Sequence, residues 1–404
     1  NGDDNIDIHV MSESKAVSNY ALSGGGLSVS PDSIVIGFDI GGMTSDMFLL
    51  IHDSGDARAK LVRQTSAKLA ANRLSTAVGL SEDLQKCISH FADSNNIGIK
   101  ALSNFKADAS MFLLNILFDK IENDSSLEKS FYDQCWNPDN DQLNRSETRG
   151  MLAIASYISG LLLFHAGQKV RSLLENSELN HPKSYHIKYS TYGKGGKLFD
   201  WLPSGLNKVE AEKYYEDCFK LGASMPGENI EDIKFVKSFS DYSVGSNRKQ
   251  EVALGLTTPM YNLNEGKNIN SEIIGEDGYK FNGKEMKWND TISPEMIFEF
   301  GEKLEFPTDS KLVRFRLFME RYMSVVKDWD IFNVSTIVHD IDLFAERKLE
   351  NYVKKDEDWV ANSHQRFETD DDGFKHTASP FLYQGMCFLD EVLIPRLYPN
   401  KEKK

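Results

Sequence analysis

Residues 34–51 read Ile-Val-Ile-Gly-Phe-Asp-Ile-Gly-Gly-Met-Thr-Ser-Asp-Met-Phe-Leu-Leu-Ile. Two apolar runs in this stretch, residues 34–38 and 47–51, have the composition and length of buried strands. The polar segment between them is short and contains two adjacent glycines, as tight turns often do. The stretch is therefore predicted to form a strand–turn–strand hairpin with a polar tip.

The hairpin tip carries the residue types that a magnesium–nucleotide site needs. Gly41 and Gly42 allow positive φ and close approach of a ligand, and successive N–H groups in such a turn attract anionic oxygens. Thr44 adds a hydroxyl donor. Asp39 and Asp46 would repel phosphate but suit a hydrated Mg²⁺, which needs only one or two carboxylates. The alternative is a glycine-rich turn whose aspartates cap the turn or face solvent.

The tip resembles the second phosphate motif of the actin, sugar-kinase and heat-shock-chaperone ATPase superfamily. The pattern of that motif is Asp-aliphatic-Gly-Gly-any-Thr-any-Asp. Every fixed position is met here, by Asp39, Gly41, Gly42, Thr44 and Asp46. Many chaperone members have a third glycine where this chain has Met43, whereas plasmid-segregating actin-like filaments tolerate other residues there.

A second glycine-rich turn, Thr191-Tyr192-Gly193-Lys194-Gly195-Gly196-Lys197, follows a strand predicted at residues 185–190. It does not match the phosphate-loop pattern Gly-x-x-x-x-Gly-Lys-Ser/Thr. A strand that enters such a turn before a helix can still aim backbone N–H groups at a ligand. The turn resembles the adenosine motif of the superfamily, which implies nucleoside contacts by Gly193, Gly195, Gly196 and Lys197. The alternative is an ordinary turn between a strand and a helix.

Two further segments resemble the helices that link the two domains of these ATPases. Residues 11–22 are predicted to be helical, and the segment 13–22 resembles the connecting helix. Glu13 takes the place of the chaperone glutamate near the γ-phosphate, although an acidic residue is favoured in any first helical turn. Residues 247–256 resemble the closing helix, in which an acidic residue precedes Val-Ala-x-Gly and the small residues Ala253 and Gly255 permit close packing.

The resemblance covers residues 6–256 and implies an α/β fold. It implies the ribonuclease-H-like second domain of an actin-like ATPase, with an inserted helical subdomain. The predicted parts are the end of the first domain and the connecting helix at 1–29, and the second domain at 30–256, largely helical over 53–180. A mostly helical extension with a β-hairpin is predicted at 257–404. Because the first phosphate loop of the family lies upstream of the connecting helix, we expect the C-terminal part of a longer protein.

The resemblance also implies binding of ATP or ADP with Mg²⁺, and hydrolysis coupled to closure of two domains. Asp39 and Glu13 would serve catalysis, and Asp39 and Asp46 would hold the metal. The glycines of both motifs, with Thr44 and Lys197, would bind the nucleotide, and residues 257–404 would bind a protein partner. Two alternatives stay open: a non-catalytic assembly module on a degenerate half-fold, and an actin-like filament protein.

Composition limits the class of protein further. The chain has 404 residues, 40% hydrophobic and 26% charged, which is ordinary for a globular protein. Its net charge of −15 disfavours non-specific binding to nucleic acid. The four cysteines are widely spaced, indicate neither a zinc site nor a disulfide framework, and fit a reducing cytoplasm. The longest apolar stretch, residues 158–167, is too short to span a bilayer, so no membrane association is expected.

Helical periodicity predicts helices over residues 64–78, 82–91, 107–121, 127–135, 148–176, 294–304, 312–326, 337–352 and 381–397. Strands are predicted at 6–10 and 233–239, and a hairpin at 273–288, where Asn282-Gly283 is the stronger turn signal. His165 lies in the longest helical run and is expected to be a core residue rather than a ligand.

Overall fold

The computed structural model describes residues 13–23, 29–42, 44–56, 59–67, 69–80, 82–97, 120–121, 124–131, 134, 145–176, 178–179, 184–199, 208–241, 251–257, 264–266, 269–292, 304–305, 312–329, 331, 334–347 and 379–398. The strand predicted at 6–10 lies outside these residues. So does the greater part of the helices predicted at 107–121 and 294–304.

The α-helices of the described residues are α1 Glu13–Ser23, α2 Asn72–Leu80, α3 Glu82–Ser94, α4 Ser125–Phe131, α5 Arg145–Glu175, α6 Lys208–Ala223, α7 Glu251–Thr257, α8 Val313–Val326, α9 Val334–Arg347, α10 Pro380–Phe388 and α11 Ile394–Leu397. The strands are β1 Ser33–Ile40, β2 Ser45–His52, β3 Lys60–Ala67, β4 Tyr185–Tyr192, β5 Val236–Asp241, β6 Asn264–Glu265, β7 Glu272–Ile273, β8 Lys280–Phe281, β9 Lys284–Glu285, β10 Thr291–Ile292 and β11 Leu304–Glu305. A π-helical turn, Leu389–Leu393, joins α10 to α11.

A mixed sheet in the order β5-β4-β1-β2-β3-β6 forms the centre of the fold. β1 and β2 are the predicted hairpin and pair antiparallel, with Asp39 opposite Asp46. β3 continues the antiparallel part, while β4 pairs parallel to β1 and β5 parallel to β4. Every residue of β1 is buried, as expected for a central strand with helices on both faces. The predicted α/β class is therefore confirmed.

A fully buried ionic cluster joins β3, α5 and β7. The carboxylate of Glu272 lies 3.1 Å from both His165 Nε2 and Lys169 Nζ, and Thr65 Oγ1 donates a hydrogen bond to it. Burial alone would raise the pKa of Glu272, but the charges of Lys169 and His165, with the hydrogen bonds, outweigh it and lower the pKa to about 2. Burial also lowers the pKa of Lys169. His165 is a core residue, as predicted.

The helix predicted over residues 64–78 is wrong in its first part, because residues up to 67 belong to β3. Helix α2 begins only at Asn72. The strand is hard to recognise in the sequence because it buries polar side chains. Thr65 enters the ionic cluster, and Arg63 NH1 donates a 3.1 Å hydrogen bond to Glu178 Oε2. Partners distant in the chain therefore stabilise these buried polar side chains, which the local sequence pattern would place on the exposed face of a helix.

Helix α5 lies in the main core, which also includes residues of α6, α8, α9 and α10. By length and composition residues 149–175 could cross a membrane, so the expectation that no apolar segment is long enough is wrong. The apolar window of this helix is entirely buried in the protein, however, as in the core helix of a globular protein.

A smaller core on the other face of the sheet is formed with α1 and α7. The two helices cross closely, because a Cβ on Gly255 would overlap the carbonyl oxygen of Ala16. Asn19 Nδ2 donates a 2.9 Å hydrogen bond to the Gly255 carbonyl oxygen. The predicted close packing through Gly255 is confirmed. Ala253 is exposed and takes no part in it.

Beyond residue 257, buried apolar side chains of α8, α9, α10 and α11 belong to the main core. Arg314 of α8 donates hydrogen bonds to the carbonyl oxygens of Leu221 and Ser224 near the end of α6, at 2.9 and 3.0 Å. The carboxylate of Glu276 accepts the N–H groups of Arg314 and Phe315 at the start of α8. Arg314 and Glu276 thereby fasten α8 to α6 and to the segment before β8.

The hairpin predicted within residues 273–288 forms between β8 and β9. Its turn is Asn282-Gly283, with φ values of 51° and 73°. Positive φ at both central residues matches the type I′ turn that this dipeptide favours. The domain boundary expected at 256/257 stays a prediction.

Candidate functional site

The hairpin tip closes tightly at the end of β1. The Gly41 N–H donates a 2.8 Å hydrogen bond to the Thr44 carbonyl oxygen, so this donor is engaged within the turn. The sequence predicts that successive N–H groups of this turn attract anionic oxygens, and the Gly41 N–H is already occupied by Thr44. Gly41 also has no positive φ. Gly42 is exposed, and Gly41 and Thr44 are half-buried, so the tip is open to a ligand.

The second glycine-rich turn lies directly against this tip. β4 runs parallel to β1 with Tyr192 beside Asp39, so Gly193 follows at the same edge of the sheet. Gly193 has a φ of 66°, and a Cβ on it would overlap Asp39 Oδ1. A Cβ on Gly195 would lie 2.7 Å from the Ile40 carbonyl oxygen. Two motifs far apart in the sequence therefore meet at the carboxyl ends of adjacent parallel strands, where open α/β sheets bind ligands.

The other predicted members of this turn occupy a short 3₁₀ helix, Lys194–Lys197. Gly196 is buried, and a Cβ on it would lie 3.0 Å from Thr191 Cβ. Lys197 lies in the same turn, with its side chain outside the described residues. The turn is thus packed between the end of β1 and its own strand, which fixes its backbone beside the hairpin tip.

Three other carboxylates act electrostatically on Asp39 at this edge. Asp39 and Asp46 are buried on the hairpin, Glu251 is buried at the start of α7, and Glu13 is exposed at the start of α1. Burial and, to a smaller extent and in decreasing order, the negative charges of Glu13, Asp46 and Glu251 together raise the pKa of Asp39 to about 7. The structure therefore brings Glu13 and Asp46 close to Asp39, and it adds Glu251.

This arrangement suits a hydrated divalent cation. Asp39 and Asp46 stand opposite each other across the hairpin, and a cation would relieve the repulsion among the carboxylates. No group of three or more His, Cys, Asp or Glu side chains within the described ranges is arranged as a metal site. Mg²⁺ often binds through one or two carboxylates and takes its other ligands from water and phosphate. The two aspartates fit that mode of binding.

Residues 69–72 hold the hairpin tip through hydrogen bonds, a role that the sequence pattern did not predict. Ser45 Oγ donates a hydrogen bond to the Leu69 carbonyl oxygen. The N–H groups of Ala71 and Asn72 donate to the carbonyl oxygens of Gly41 and Gly42, at 3.3 and 3.0 Å. These residues fall inside the helix predicted over 64–78, so their role was hidden. Asn72, a residue type favoured at helix starts, was the available signal.

Glu251 was also absent from the predicted site residues. Its signal was present in the sequence, as the acidic residue before Val252-Ala253-Leu254-Gly255. Only the packing of α7 on α1 carries this residue to the edge of the sheet that holds Asp39. Sequence spacing gives no such placement, because a long helical region separates the two residues.

The comparisons with known proteins identify no family. No protein-family model matches the chain, and a search of curated proteins finds none with significant similarity.

Proposed function

We propose that the chain binds ATP or ADP with Mg²⁺ at the junction of the two glycine-rich turns, as part of an actin-like ATPase. The observation that carries the proposal is the contact between Gly193 and Asp39. The segments that resemble the phosphate and adenosine motifs are distant in sequence, yet they lie side by side without room for a Cβ between them. An accidental likeness of two glycine-rich turns would not require them to meet.

The order of elements supports the same proposal. The hairpin β1–β2 is followed by a largely helical region, the long helix α5, strand β4 with its glycine turn, and later the short helix α7. That is the order expected from the superfamily. The close crossing of α1 and α7 also agrees with the expected connecting and closing helices.

In this proposal each residue acts by position or charge. Gly42 and Thr44 contact phosphate oxygens at the open tip, while Gly41 shapes the turn. Asp39 and Asp46 hold the Mg²⁺, which would neutralise phosphate charge and orient the reacting groups. Phosphoryl transfer depends mainly on such positioning and electrostatic stabilisation. Because its pKa is about 7, the carboxylate of Asp39 can also accept a proton at physiological pH.

The remaining roles follow from the surroundings of these residues. Gly193, Gly195, Gly196 and Lys197 contact the nucleoside. Glu13 and Glu251, at the starts of α1 and α7, orient water around the metal. We further propose that hydrolysis is coupled to domain closure and that residues 257–404 bind a protein partner. The proposed location is the cytoplasm.

Isothermal calorimetry with Mg-ATP and Mg-ADP tests nucleotide binding. We expect Asp39→Asn to weaken binding at least about tenfold, since a buried charge contact contributes 1.4 kcal/mol or more. Asp53→Asn is the matched control, because Asp53 accepts a 2.9 Å hydrogen bond from Tyr185 on the same sheet, outside the carboxylate cluster. The proposal fails if the folded wild-type protein binds neither nucleotide, or if Asp39→Asn binds as well as Asp53→Asn.

The second candidate is a non-catalytic assembly module on the same fold. The engagement of the Gly41 N–H within the turn favours it, because one expected phosphate donor is occupied. Absence of nucleotide binding by the wild-type protein would support this candidate. Binding without measurable release of phosphate would give a nucleotide-binding module that lacks hydrolysis.

A further inference from the structure

The start of helix α2 and the residue before it hold the hairpin tip through backbone hydrogen bonds. The Ala71 and Asn72 N–H groups donate to the two glycine carbonyl oxygens of the tip. A Cβ on Gly195 would also lie 3.1 Å from the Ala71 Cβ, so the second glycine turn touches the same segment. A displacement of the start of α2 would therefore move both turns.

The next residue of α2 is tied to the C-terminal helices. Arg73 Nε lies 3.0 Å from Asp390 Oδ1, and Arg73 NH2 lies 2.8 Å from Asp390 Oδ2, which makes a bidentate ion pair. Arg73 NH1 donates a 3.0 Å hydrogen bond to Asn72 Oδ1. The guanidinium thus joins Asp390 to the residue whose N–H holds Gly42. Its rigid planar fork fixes orientation as well as distance.

Asp390 lies between the two C-terminal helices α10 and α11. It lies in the π-helical turn Leu389–Leu393, and turns of this kind are frequent at functional sites. Helix α10, which precedes this turn, is anchored on the long core helix, since Tyr157 Oη donates a 2.8 Å hydrogen bond to the Gly385 carbonyl oxygen. The Arg73 side chain is 14% exposed and that of Asp390 is 38% exposed, so the pair lies at the surface with only its guanidinium shielded from water.

We propose that Arg73 and Asp390 are positioning residues for the hairpin tip, through which the C-terminal helices α10 and α11 set the geometry of the nucleotide site. The effect on nucleotide affinity rests on the proposed function, whereas the effect on the tip itself does not. Neither residue touches the site: Arg73 acts through Asn72 and Gly42, and Asp390 acts through Arg73.

The competing interpretation is an ion pair that merely fastens the C-terminal segment. The chain offers a matched control for it, the pair between Arg396 NH2 and Asp340 Oδ1 at 2.7 Å. This pair ties α11 to α9 and therefore fastens the same segment at a different point. Loss of Arg396 would loosen the segment without releasing the start of α2.

The first experiment measures amide hydrogen exchange of the hairpin tip in the full chain without nucleotide. The Gly41 N–H, which bonds to Thr44, is the main probe. We expect Arg73→Ala and Asp390→Asn to speed its exchange about three- to tenfold, the range typical of coupled neighbouring sites. Arg396→Ala should leave it unchanged. Arg73→Lys, which keeps the charge but not the fork, should give an intermediate rate.

The second experiment measures Mg-ADP affinity of the same variants by calorimetry. We expect a three- to tenfold loss, on the order of a coupling between contacting groups, for Arg73→Ala and none for Arg396→Ala. The double variant Arg73→Ala/Asp390→Ala should lose no more than the single one, because both remove one interaction. Additive losses in the double variant would overturn the proposal.

Equal exchange rates in Arg73→Ala and Arg396→Ala would also overturn it. If the wild-type protein binds no nucleotide, the proposed function fails, while the exchange measurement still decides whether this pair positions the tip. The two failures are therefore distinguishable.

Discussion

Replacement of Asp39 by asparagine should make the protein more stable at pH 8 while it weakens the proposed magnesium binding. Asparagine has nearly the same shape as aspartate but carries no charge. Asp39 ionises in a buried place beside Glu13, Asp46 and Glu251, and each of these charges opposes that ionisation. A functional site that gathers like charges lowers the stability of the folded protein. Removal of one of these charges should therefore raise the stability.

The magnitude follows from the pKa of Asp39. Burial and the neighbouring carboxylates raise this pKa from 3.8 to about 7. The folded protein therefore holds the proton more tightly than the unfolded chain, and the stability contributed by Asp39 falls as the pH rises from about 4 to 7. The full difference corresponds to about 4 kcal/mol, and because the carboxylate keeps some solvent contact we expect about 2–4 kcal/mol.

Urea unfolding between pH 4 and pH 8, with a chelator and without nucleotide, measures this effect. The free energies of unfolding of wild type and Asp39→Asn should nearly coincide at pH 4 and diverge above it, with the variant more stable. Asp53→Asn is the control. Its carboxamide oxygen can still accept the hydrogen bond from Tyr185, but more weakly than a carboxylate, so this variant should be less stable than wild type by no more than about 0.5–1.5 kcal/mol, with no growing advantage at high pH.

The electrostatic account of the site is refuted if Asp39→Asn gains nothing on the wild type between pH 4 and pH 8. A second series with saturating Mg-ADP separates charge from function. The nucleotide should stabilise the wild type by at least about 1.4 kcal/mol more than Asp39→Asn, because the variant lacks one of the two proposed metal-binding carboxylates. Equal stabilisation of both proteins would contradict the assigned role of Asp39.

Three further predictions follow from the described geometry. The affinity for Mg-ADP should rise about tenfold from pH 6 to pH 8. The reason is that Asp39, with a pKa of about 7, is roughly one-tenth ionised at pH 6 and nine-tenths ionised at pH 8. Calorimetry at constant free Mg²⁺ measures the change. Gly193→Ala should cost about 2–4 kcal/mol in urea unfolding, because its φ is 66° and a Cβ would overlap the Asp39 carboxylate. Glu272→Gln should cost about 3–5 kcal/mol at pH 7, since it leaves two buried basic groups without their anion. With a pKa of about 2, Glu272 contributes stability that is present above pH 4.5 and is lost as the pH falls through 2, so the difference between this variant and the wild type should shrink below pH 4.5.

Each of these predictions has a control or a contradicting result. An affinity independent of pH would exclude Asp39 as the titrating ligand, and Asp39→Asn should itself show no pH dependence. Gly227 has a φ of 80° and open space around its Cβ position, so Gly227→Ala should cost only about 1 kcal/mol; equal costs would exclude a steric conflict at Gly193. A cost below about 1 kcal/mol for Glu272→Gln would show that its buried pairs are nearly neutral in net stability.

The sequence by itself was sufficient for the hairpin at residues 34–51, the long helix α5, strand β4 with its glycine turn, and the Asn282-Gly283 hairpin. In each case the structure is encoded locally, by an apolar run, a helical period or a turn dipeptide, and few alternatives compete. The choice of Asp39 as the central candidate residue came from the same local pattern. These local predictions hold in the folded protein because each element needs only a buried face in addition to its local sequence pattern.

Only the tertiary structure decided the rest. It placed Gly193 against Asp39, brought Glu251 to the same edge, assigned residues 60–67 to a strand, and tied Arg73 to Asp390. No local signal gives these placements, since each depends on partners distant in the chain. Buried polar groups such as Thr65 are stable only once those partners are in place, and the pKa of Asp39 depends on the charges that folding gathers around it. Local pattern therefore determined which segments form the site, and packing determined its composition and electrostatics.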